Sequence, residues 1–146
     1  MQEVKIFIQA EIKGIRASDG AAGYLLEAQT PKGPATMGRV YRIENSTSNA
    51  AELAALLNAL KRLREPCKVM VYTDSTYISS AIDNGWLEDW AENGWKTRRG
   101  KNVANSAMWE KLRGELEVHK LTFTKVEGEY GSWLKCEVER KARTHV

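Results

Sequence analysis

The order of strand-like and helix-like segments is the feature that most constrains the fold of this chain. Residues 53–63 place apolar side chains at helical spacing, namely Leu53, Leu56, Leu57, Leu60 and Leu63. This segment lies between an extended segment before it and the short apolar run 69–72 after it. A strand–helix–strand unit prefers a parallel, right-handed crossover. The chain is therefore expected to form an α/β domain whose sheet contains parallel strands.

The other segments predict a mixed sheet. Residues 4–12 alternate apolar and polar side chains with a period of two, as a strand does. Further strands are predicted at 22–28, 35–43, 69–72 and 120–126. Helices are predicted from the polar run 46–49 to Glu65-Pro66, and at 75–82, 86–92, 105–118 and 132–143. We expect five strands, three antiparallel and then parallel ones, flanked by helices.

Size and composition predict one domain. The chain has 146 residues, of which 42% are hydrophobic and 28% are charged, as in a globular protein with one core. Residues 1–146 contain no repeat, low-complexity tract or linker. No apolar run approaches the roughly 18 residues that span a membrane, and the first residues do not resemble a secretory signal. We expect a cytoplasmic monomer in which Cys67 and Cys136 are reduced, partly buried thiols.

Charge is separated along the chain, although the net charge is only +3. Residues 83–92 carry four acids and no base, and residues 96–101 carry four bases and no acid. The bases are Lys96, Arg98, Arg99 and Lys101. Such a run is either a solvated face or a phosphate-binding surface. Three tryptophans lie close by, at 86, 90 and 95, and local packing is the alternative to nucleic-acid binding for them.

Three acidic residues are candidates for a site. Asp74 ends an apolar strand, where ligands gather in open α/β sheets, but it is also placed to cap the next helix. Glu52 lies near the start of the leucine-rich helix, at capping-box spacing from Asn49. Glu137 lies in a polar helix and by itself is typical of a surface charge.

Taken together, these segments resemble type 1 ribonuclease H. The runs TSNAAEL (47–53) and YTDSTY (72–77) resemble the second and third acidic motifs of that family. Residues 94–109 are similar to the segment that follows the family's basic protrusion, and Cys136-Glu137 occupies the place of its fourth acid. The resemblance covers nearly the whole chain, and the ordered set of motifs is more specific than any one of them.

The resemblance implies hydrolysis of the RNA strand of RNA–DNA hybrids. It implies a carboxylate cluster that holds two Mg²⁺ or Mn²⁺ ions about 4 Å apart. The implied metal ligands are Gln9, Glu52, Asp74 and Glu137. The implied nucleic-acid contacts are Asn49, Ser75, Trp86, Trp90, Trp95, Lys96, Arg98, Arg99 and Lys101.

The chain departs from the family's pattern at several points. The first acid falls on the neutral Gln9, and Glu11, on the same strand face, is the candidate substitute. The fourth acid is a glutamate, one methylene longer than the usual aspartate. The loop 127–132 has no histidine, although family members often keep a proton-shuttling one there. His119 and His145 are predicted to be surface residues, and the family's glycine-rich turn after the first strand is missing.

Three functions remain open from the sequence. The first is a metal-dependent ribonuclease H, attenuated by Gln9. The second is a non-catalytic nucleic-acid-binding module of the same fold, and the third is a structural or protein-interaction domain. The presence of Glu52, Asp74 and Glu137 in matching motifs argues against the third, while Gln9 keeps the second open.

Overall fold

The computed structural model describes residues 1–143, so the predicted surface position of His145 lies outside the described residues. The strands are β1 (Gln2–Ile12), β2 (Ser18–Thr30), β3 (Gly33–Ser46), β4 (Cys67–Tyr72) and β5 (Lys120–Thr124). The helices are α1 (Ser48–Leu60), α2 (Tyr77–Asp83), α3 (Trp86–Glu92), α4 (Ser106–Val118) and α5 (Gly131–Arg143). In this described part of the chain, no helix has both the length and the apolar character needed to cross a membrane.

The five strands form one mixed sheet in the order β3-β2-β1-β4-β5. β1 pairs antiparallel with β2, and β2 pairs antiparallel with β3. β4 lies parallel to both of its neighbours, β1 and β5. The predicted mixed α/β sheet is therefore confirmed, and helices lie in the connections that lead to the parallel strands β4 and β5.

The alternation along β1 distributes its side chains between two apolar layers. Ile6 and Ile8 pack with α1 and α4, against residues such as Leu53 and Trp109. Phe7 points to the opposite face and packs with Leu25, Leu134 and Val138, where α5 covers the sheet. Successive strand residues face opposite sides of a sheet. Both faces of β1 are therefore buried in the middle of the strand, which fixes its position at the centre of the domain.

The starts of two helices differ from the sequence predictions. Thr47 caps α1, and its Oγ1 accepts a hydrogen bond from the Ala50 backbone N–H at 3.1 Å. The capping-box interpretation of Asn49 and Glu52 is therefore wrong, since the glutamate of that motif lies three residues after the cap. α2 begins at Tyr77 behind Thr76 and has no side-chain cap, so Asp74 is not a helix cap.

The predicted ends of several elements also shift. β2 and β3 extend beyond the predicted 22–28 and 35–43, because their ladder continues from Thr30↔Gly33 at the hairpin turn to Ser18↔Ser46. Main-chain pairing does not depend on the alternation of side chains, so polar residues continue the ladder. α1 ends at Leu60, before the predicted Glu65-Pro66, and β5 ends at Thr124 rather than at 126.

The predicted surface position of His119 is wrong, because its side chain is 5% exposed. Its Nδ1 accepts a hydrogen bond from the Cys67 backbone N–H at 3.0 Å, and its Nε2 lies 3.4 Å from Glu115 Oε2. The histidine thus joins the end of α4 to the start of β4. Both cysteines are free thiols, as expected, but Cys67 is buried and Cys136 is exposed rather than both being partly buried.

Candidate active site

The parallel pairing of β1 with β4 brings Gln9 and Asp74 to the same edge of the sheet. The last paired residues of the two strands are Phe7 and Tyr72. Gln9 and Asp74 each follow by two residues, at the carboxyl end of the parallel pair. Side chains at this edge of an α/β sheet lie outside the packed core and are available to a ligand.

Two cavities of about 200 Å³ each meet at this edge. The first, here named the α1 cavity, is lined at the start of α1 and after β4 by Asn49, Glu52, Thr73, Asp74 and Ser75, and by Gln9 from β1. The second, named the α5 cavity, is lined by Gln9 and Asp74 together with residues of α5 and of the loop before it. Gln9 and Asp74 therefore separate two halves of one groove.

Glu52 is the most perturbed acid of the site. Its side chain is 7% exposed, and Thr73 Oγ1 donates a hydrogen bond to Glu52 Oε1 at 3.5 Å. The pKa of Glu52 is raised to about 7, chiefly by burial and also by the charge of Asp74, against hydrogen bonds from Ser75 and Thr73 that lower it. Near neutral pH this carboxyl is thus divided between its two protonation states, and a cation beside it would favour the ionised state.

The other two predicted acids, Glu11 and Glu137, do not line either of these two cavities. The Glu137 carboxylate pairs with Arg140 at 3.2 Å, and Glu137 is absent from the lining of both cavities. Glu11 lines a third cavity with Lys13, Asp19 and Glu139. The structure therefore brings Gln9, Glu52 and Asp74 together and does not bring Glu11 or Glu137 into the lining around them.

The donor atoms at the groove fit a hard divalent cation. Glu52 and Asp74 supply carboxylate oxygens and Gln9 supplies an amide oxygen, which are the ligand types that Mg²⁺ and Mn²⁺ prefer. Within residues 1–143, no group of three or more Asp, Glu, His or Cys side chains is arranged to hold a metal ion. Two acids and one amide are thus the ligands that the groove itself offers.

A second surface carries part of the predicted nucleic-acid contacts. Trp86 and Trp90 from α3 line a cavity of about 510 Å³ with Lys96 and Arg98 from the next hairpin. Trp86 is 45% exposed, whereas Trp90 packs against Trp109 with ring centroids 5.6 Å apart. Packing in the core therefore explains part of the position of Trp90, whereas the ring of Trp86 is exposed to solvent.

The hairpin formed by residues 96–102 determines where the other two bases, Arg99 and Lys101, lie. Lys96 pairs with Asn102 in an antiparallel bridge, and the Thr97 backbone N–H donates to Lys101 O at 2.8 Å. Arg99 and Lys101 are exposed but do not line the cavity. Trp95 is partly buried against the core, as the packing alternative predicts.

Sequence reasoning missed the residues of the α5 cavity that come from outside the acidic motifs. These are chiefly Lys125, Glu127 and Lys135. Lys125 directly follows β5, and β5 lies beside β4 in the sheet, so the two strand ends are neighbours. Lys125 belongs to no motif, and its place at the groove follows from the pairing of β5 with β4.

Comparison with known proteins identifies the family. The chain matches the family described as RNase H over residues 4–140. A Ribonuclease H of Caldicellulosiruptor saccharolyticus is 43% identical over 103 residues, which are 70% of this chain and 71% of the relative. A Ribonuclease H of Thermus thermophilus is 43% identical over 98 residues, 67% of this chain but only 59% of the relative.

Solved structures agree with this match at the level of the fold. LC9-RNase H1, described as a type 1 RNase H with the type 2 active-site motif, superposes with a TM-score of 0.77 at 22% identity, over 97% of this chain and 72% of that one. The foamy viral protease-reverse transcriptase in complex with RNA/DNA hybrid gives a TM-score of 0.70 at 15% identity, over 99% of this chain and 20% of that one. Because the family match spans most of the sequence, the chain belongs to the RNase H family.

Proposed function

We propose that this chain is a metal-dependent endonuclease that hydrolyses the RNA strand of RNA–DNA hybrids. The observation that carries the proposal is the meeting of Glu52 and Asp74 with Gln9 at the carboxyl ends of two parallel strands. The family match and the relatives named Ribonuclease H support the reaction class. The hybrid held by one structural neighbour supports the class of partner.

A divalent cation, Mg²⁺ or Mn²⁺, is the proposed cofactor, in a two-ion site. Glu52 and Asp74 would hold the ions with the amide oxygen of Gln9. Glu137 is the proposed fourth ligand, and to serve as one its side chain would have to leave Arg140 and turn into the groove. When bound in such sites, these ions stabilise the negative charge of the attacking and leaving oxygens. The buried Glu52 beside Asp74 supports this assignment, since two neighbouring carboxylates coexist as anions most readily with a cation between them.

The chain's own residues then hold the substrate and orient the acids. Thr73 donates its hydrogen bond to Glu52 and restricts that side chain. Asn49 and Ser75 lie in the same lining and offer polar groups to the nucleic-acid backbone. Further along the duplex, Trp86, Lys96 and Arg98 supply an exposed ring and two cations for a second contact with phosphates.

A cleavage assay tests the proposal. The parent protein is expected to cut the RNA strand of a hybrid, weakly with Mg²⁺ and faster with Mn²⁺, and to leave double-stranded DNA intact. The Asp74→Asn variant keeps the shape of the side chain but removes its charge, so cleavage should fall by at least a hundredfold while the circular dichroism spectrum is unchanged.

Two outcomes contradict the proposal. If Asp74→Asn cuts hybrid as fast as the parent, Asp74 is not part of the active site. If neither the parent nor Gln9→Asp cuts hybrid with either metal, the chain is a binding module rather than an enzyme.

A further inference from the structure

The α5 cavity continues the groove beyond the acidic residues, and its chemistry differs from that of the α1 cavity. The α1 cavity adds Glu52 and hydroxyl or amide groups to the shared residues Gln9 and Asp74. The α5 cavity adds two lysines, Lys125 and Lys135. We propose that these lysines bind a phosphate of the cleaved strand, next to the phosphate that reacts. This inference rests on the proposed function, because it takes the Gln9–Asp74 pair as the reacting position.

The two lysines reach the cavity from different elements and carry unneutralised charge. Lys125 follows the last residue of β5, and Lys135 lies in the second turn of α5. Among residues 1–143, neither ammonium group has an ion-pair or hydrogen-bond partner. The carboxylates of Asp74 and Glu127 also line this cavity, and the two lysines are the groups in the lining that attract a phosphate.

The acid that shares this cavity is engaged with α5. The carboxylate of Glu127 accepts a hydrogen bond from the Ser132 hydroxyl, in the first turn of the helix. The side chain of Glu127 packs over Gly131, where an added Cβ would lie 2.8 Å from Glu127 Cγ. An acid at this position complements the positive end of the helix. Glu127 therefore has a structural partner, while within the described part of the chain the two lysines beside it have none.

The loop that carries Lys125 is anchored on the sheet. Gly128 has φ +70° and lies so close to the rings of Phe7 and Tyr72 that an added Cβ would be 2.7 and 2.9 Å from their Cε2 atoms. One residue later, Glu129 accepts a hydrogen bond from Lys5 Nζ at 2.8 Å. Anchoring at Gly128 and at Glu129 limits the positions that Lys125 samples, and such preorganisation lowers the entropy lost on binding.

Position along the groove identifies the strand. The α5 cavity shares Gln9, Thr73 and Asp74 with the α1 cavity, so a backbone that lies across the acids enters it directly. The next phosphate of the same strand is one nucleotide away, whereas the other strand lies across the wide minor groove of an A-form duplex. We therefore assign the cavity to the cleaved RNA strand.

The first experiment measures the affinity of the full chain for a short RNA–DNA hybrid by fluorescence anisotropy in EDTA, which prevents cleavage. The test variant is Lys125→Gln with Lys135→Gln. The control, Lys111→Gln with Lys120→Gln, removes the same charge from exposed lysines on α4 and at the far end of β5. For the test variant we expect about tenfold weaker binding and a slope of log affinity against log salt that is smaller by about two. The control should stay within twofold, and equal losses in both variants would overturn the proposal.

The second experiment locates the contact. Single phosphates of the hybrid are replaced in turn by neutral methylphosphonates on either strand. The parent should lose affinity at a phosphate next to the cleavage position on the RNA strand, and the lysine variant should lose nothing further there. Coupling only to DNA-strand phosphates, or to none, would overturn the assignment. Because binding is read without metal, a parent that binds in this way but never cleaves contradicts the proposed function and leaves the phosphate site standing.

Discussion

Gln9 determines how much charge the site presents to a cation. Its amide offers one oxygen and no charge, while Glu52 is buried enough that its pKa is raised to about 7. Near neutral pH the two carboxylates of the α1 cavity therefore carry less than two full charges. A site of this kind is expected to bind divalent ions weakly, and Mg²⁺ more weakly than ions that accept irregular coordination.

We predict that Gln9→Asp raises Mg²⁺-dependent hybrid cleavage at least tenfold, because an added carboxylate beside Glu52 and Asp74 strengthens ion binding. The measurement is kcat/KM against Mg²⁺ concentration for both proteins. Glu11→Gln is the companion variant. The Glu11 carboxylate lines a different cavity, so we expect this variant to cleave hybrid almost as fast as the parent. A clear fall in its activity would instead support Glu11 as the substitute acid. A parent that is already fully active at low Mg²⁺ would contradict the prediction for Gln9.

A second prediction concerns the metal-free protein and the buried Glu52. A carboxyl whose folded pKa is raised favours folding while it is protonated, so its contribution is complete below its usual pKa and is lost as pH rises through the folded value. In EDTA, the free energy of unfolding should fall between about pH 4.5 and about pH 7, by about 3 kcal/mol for this group. Urea unfolding at several pH values measures this fall in the free energy of unfolding.

Glu52→Gln is the matching variant for that titration. The amide fills the same space and does not ionise, so the pH dependence in this window should be largely lost. Identical profiles for the two proteins would mean that Glu52 is better solvated than the structure indicates.

At the scale of elements, the loop between β5 and α5 is held by backbone geometry. Gly128 combines a positive φ with a position where an added Cβ would clash with the rings of Phe7 and Tyr72, which themselves stack with centroids 4.2 Å apart. The positive φ disfavours any residue with a Cβ because of its backbone conformation, and the nearby rings leave no space for a Cβ. The loop in turn carries Lys125 and Glu127 to the groove.

We predict that Gly128→Ala lowers the free energy of unfolding by about 2–4 kcal/mol, as the sum of the left-handed backbone cost and overpacking. Gly14→Ala is the matched control, since Gly14 has φ +77° and a Cβ added there would contact nothing within 4 Å beyond its chain neighbours. The control should lose only about 1–2 kcal/mol. Chemical denaturation compares the two, and equal losses would show that the ring contact contributes nothing.

How far the sequence predicts these elements depends on the kind of contact involved. The alternation in β1 and the leucine spacing of α1 are local patterns, and both elements form where they were expected. The start of α1 lies among four polar residues that can each act as a cap, so the choice of Thr47 was not predictable. His119 was assigned to the surface by polarity alone, because its partner Cys67 is 52 residues away.

In the site, too, the residues in local motifs were predicted, and those that depend on contacts between distant segments were not. Glu52 and Asp74 were found through motifs, and the structure brings them into one cavity with Gln9. Lys125 and Lys135 belong to no motif and become neighbours only through the packing of β5 and α5. Burial of Glu52 likewise depends on which distant segments cover the second turn of α1, and the linear sequence does not contain that information.

At the scale of the whole molecule, charge is distributed over two separate surfaces. The groove combines acids with Lys125 and Lys135, and the α3 surface combines Trp86 with Lys96 and Arg98. The α3 surface also includes Asp89, so its field is weaker than that of an all-basic surface. A duplex that contacts both surfaces would be bound by several modest contacts rather than by one strong one.

We predict that replacing Lys96, Arg98, Arg99 and Lys101 together with alanine weakens hybrid binding and reduces its salt dependence, by about one unit of slope for each lost phosphate contact. Lys96→Ala with Arg98→Ala should account for more of this loss than Arg99→Ala with Lys101→Ala, because only the first pair lines the cavity beside Trp86. Anisotropy titrations at several salt concentrations compare the three variants, and an unchanged slope in the quadruple variant would refute the role of this hairpin.

The long edge strand β3 affects whether two molecules of this protein can pair through their sheets at high concentration. β3 is a 14-residue edge strand, a length at which main-chain groups on an outer strand invite pairing with another molecule. Pro34 has no N–H to offer, Arg39 and Arg42 place cations along the strand, and Arg42 also donates to Lys141 O of α5 at 3.0 Å. Pro34 and the two arginines are thus placed to oppose the pairing of β3 with a second molecule, which a long outer strand otherwise favours.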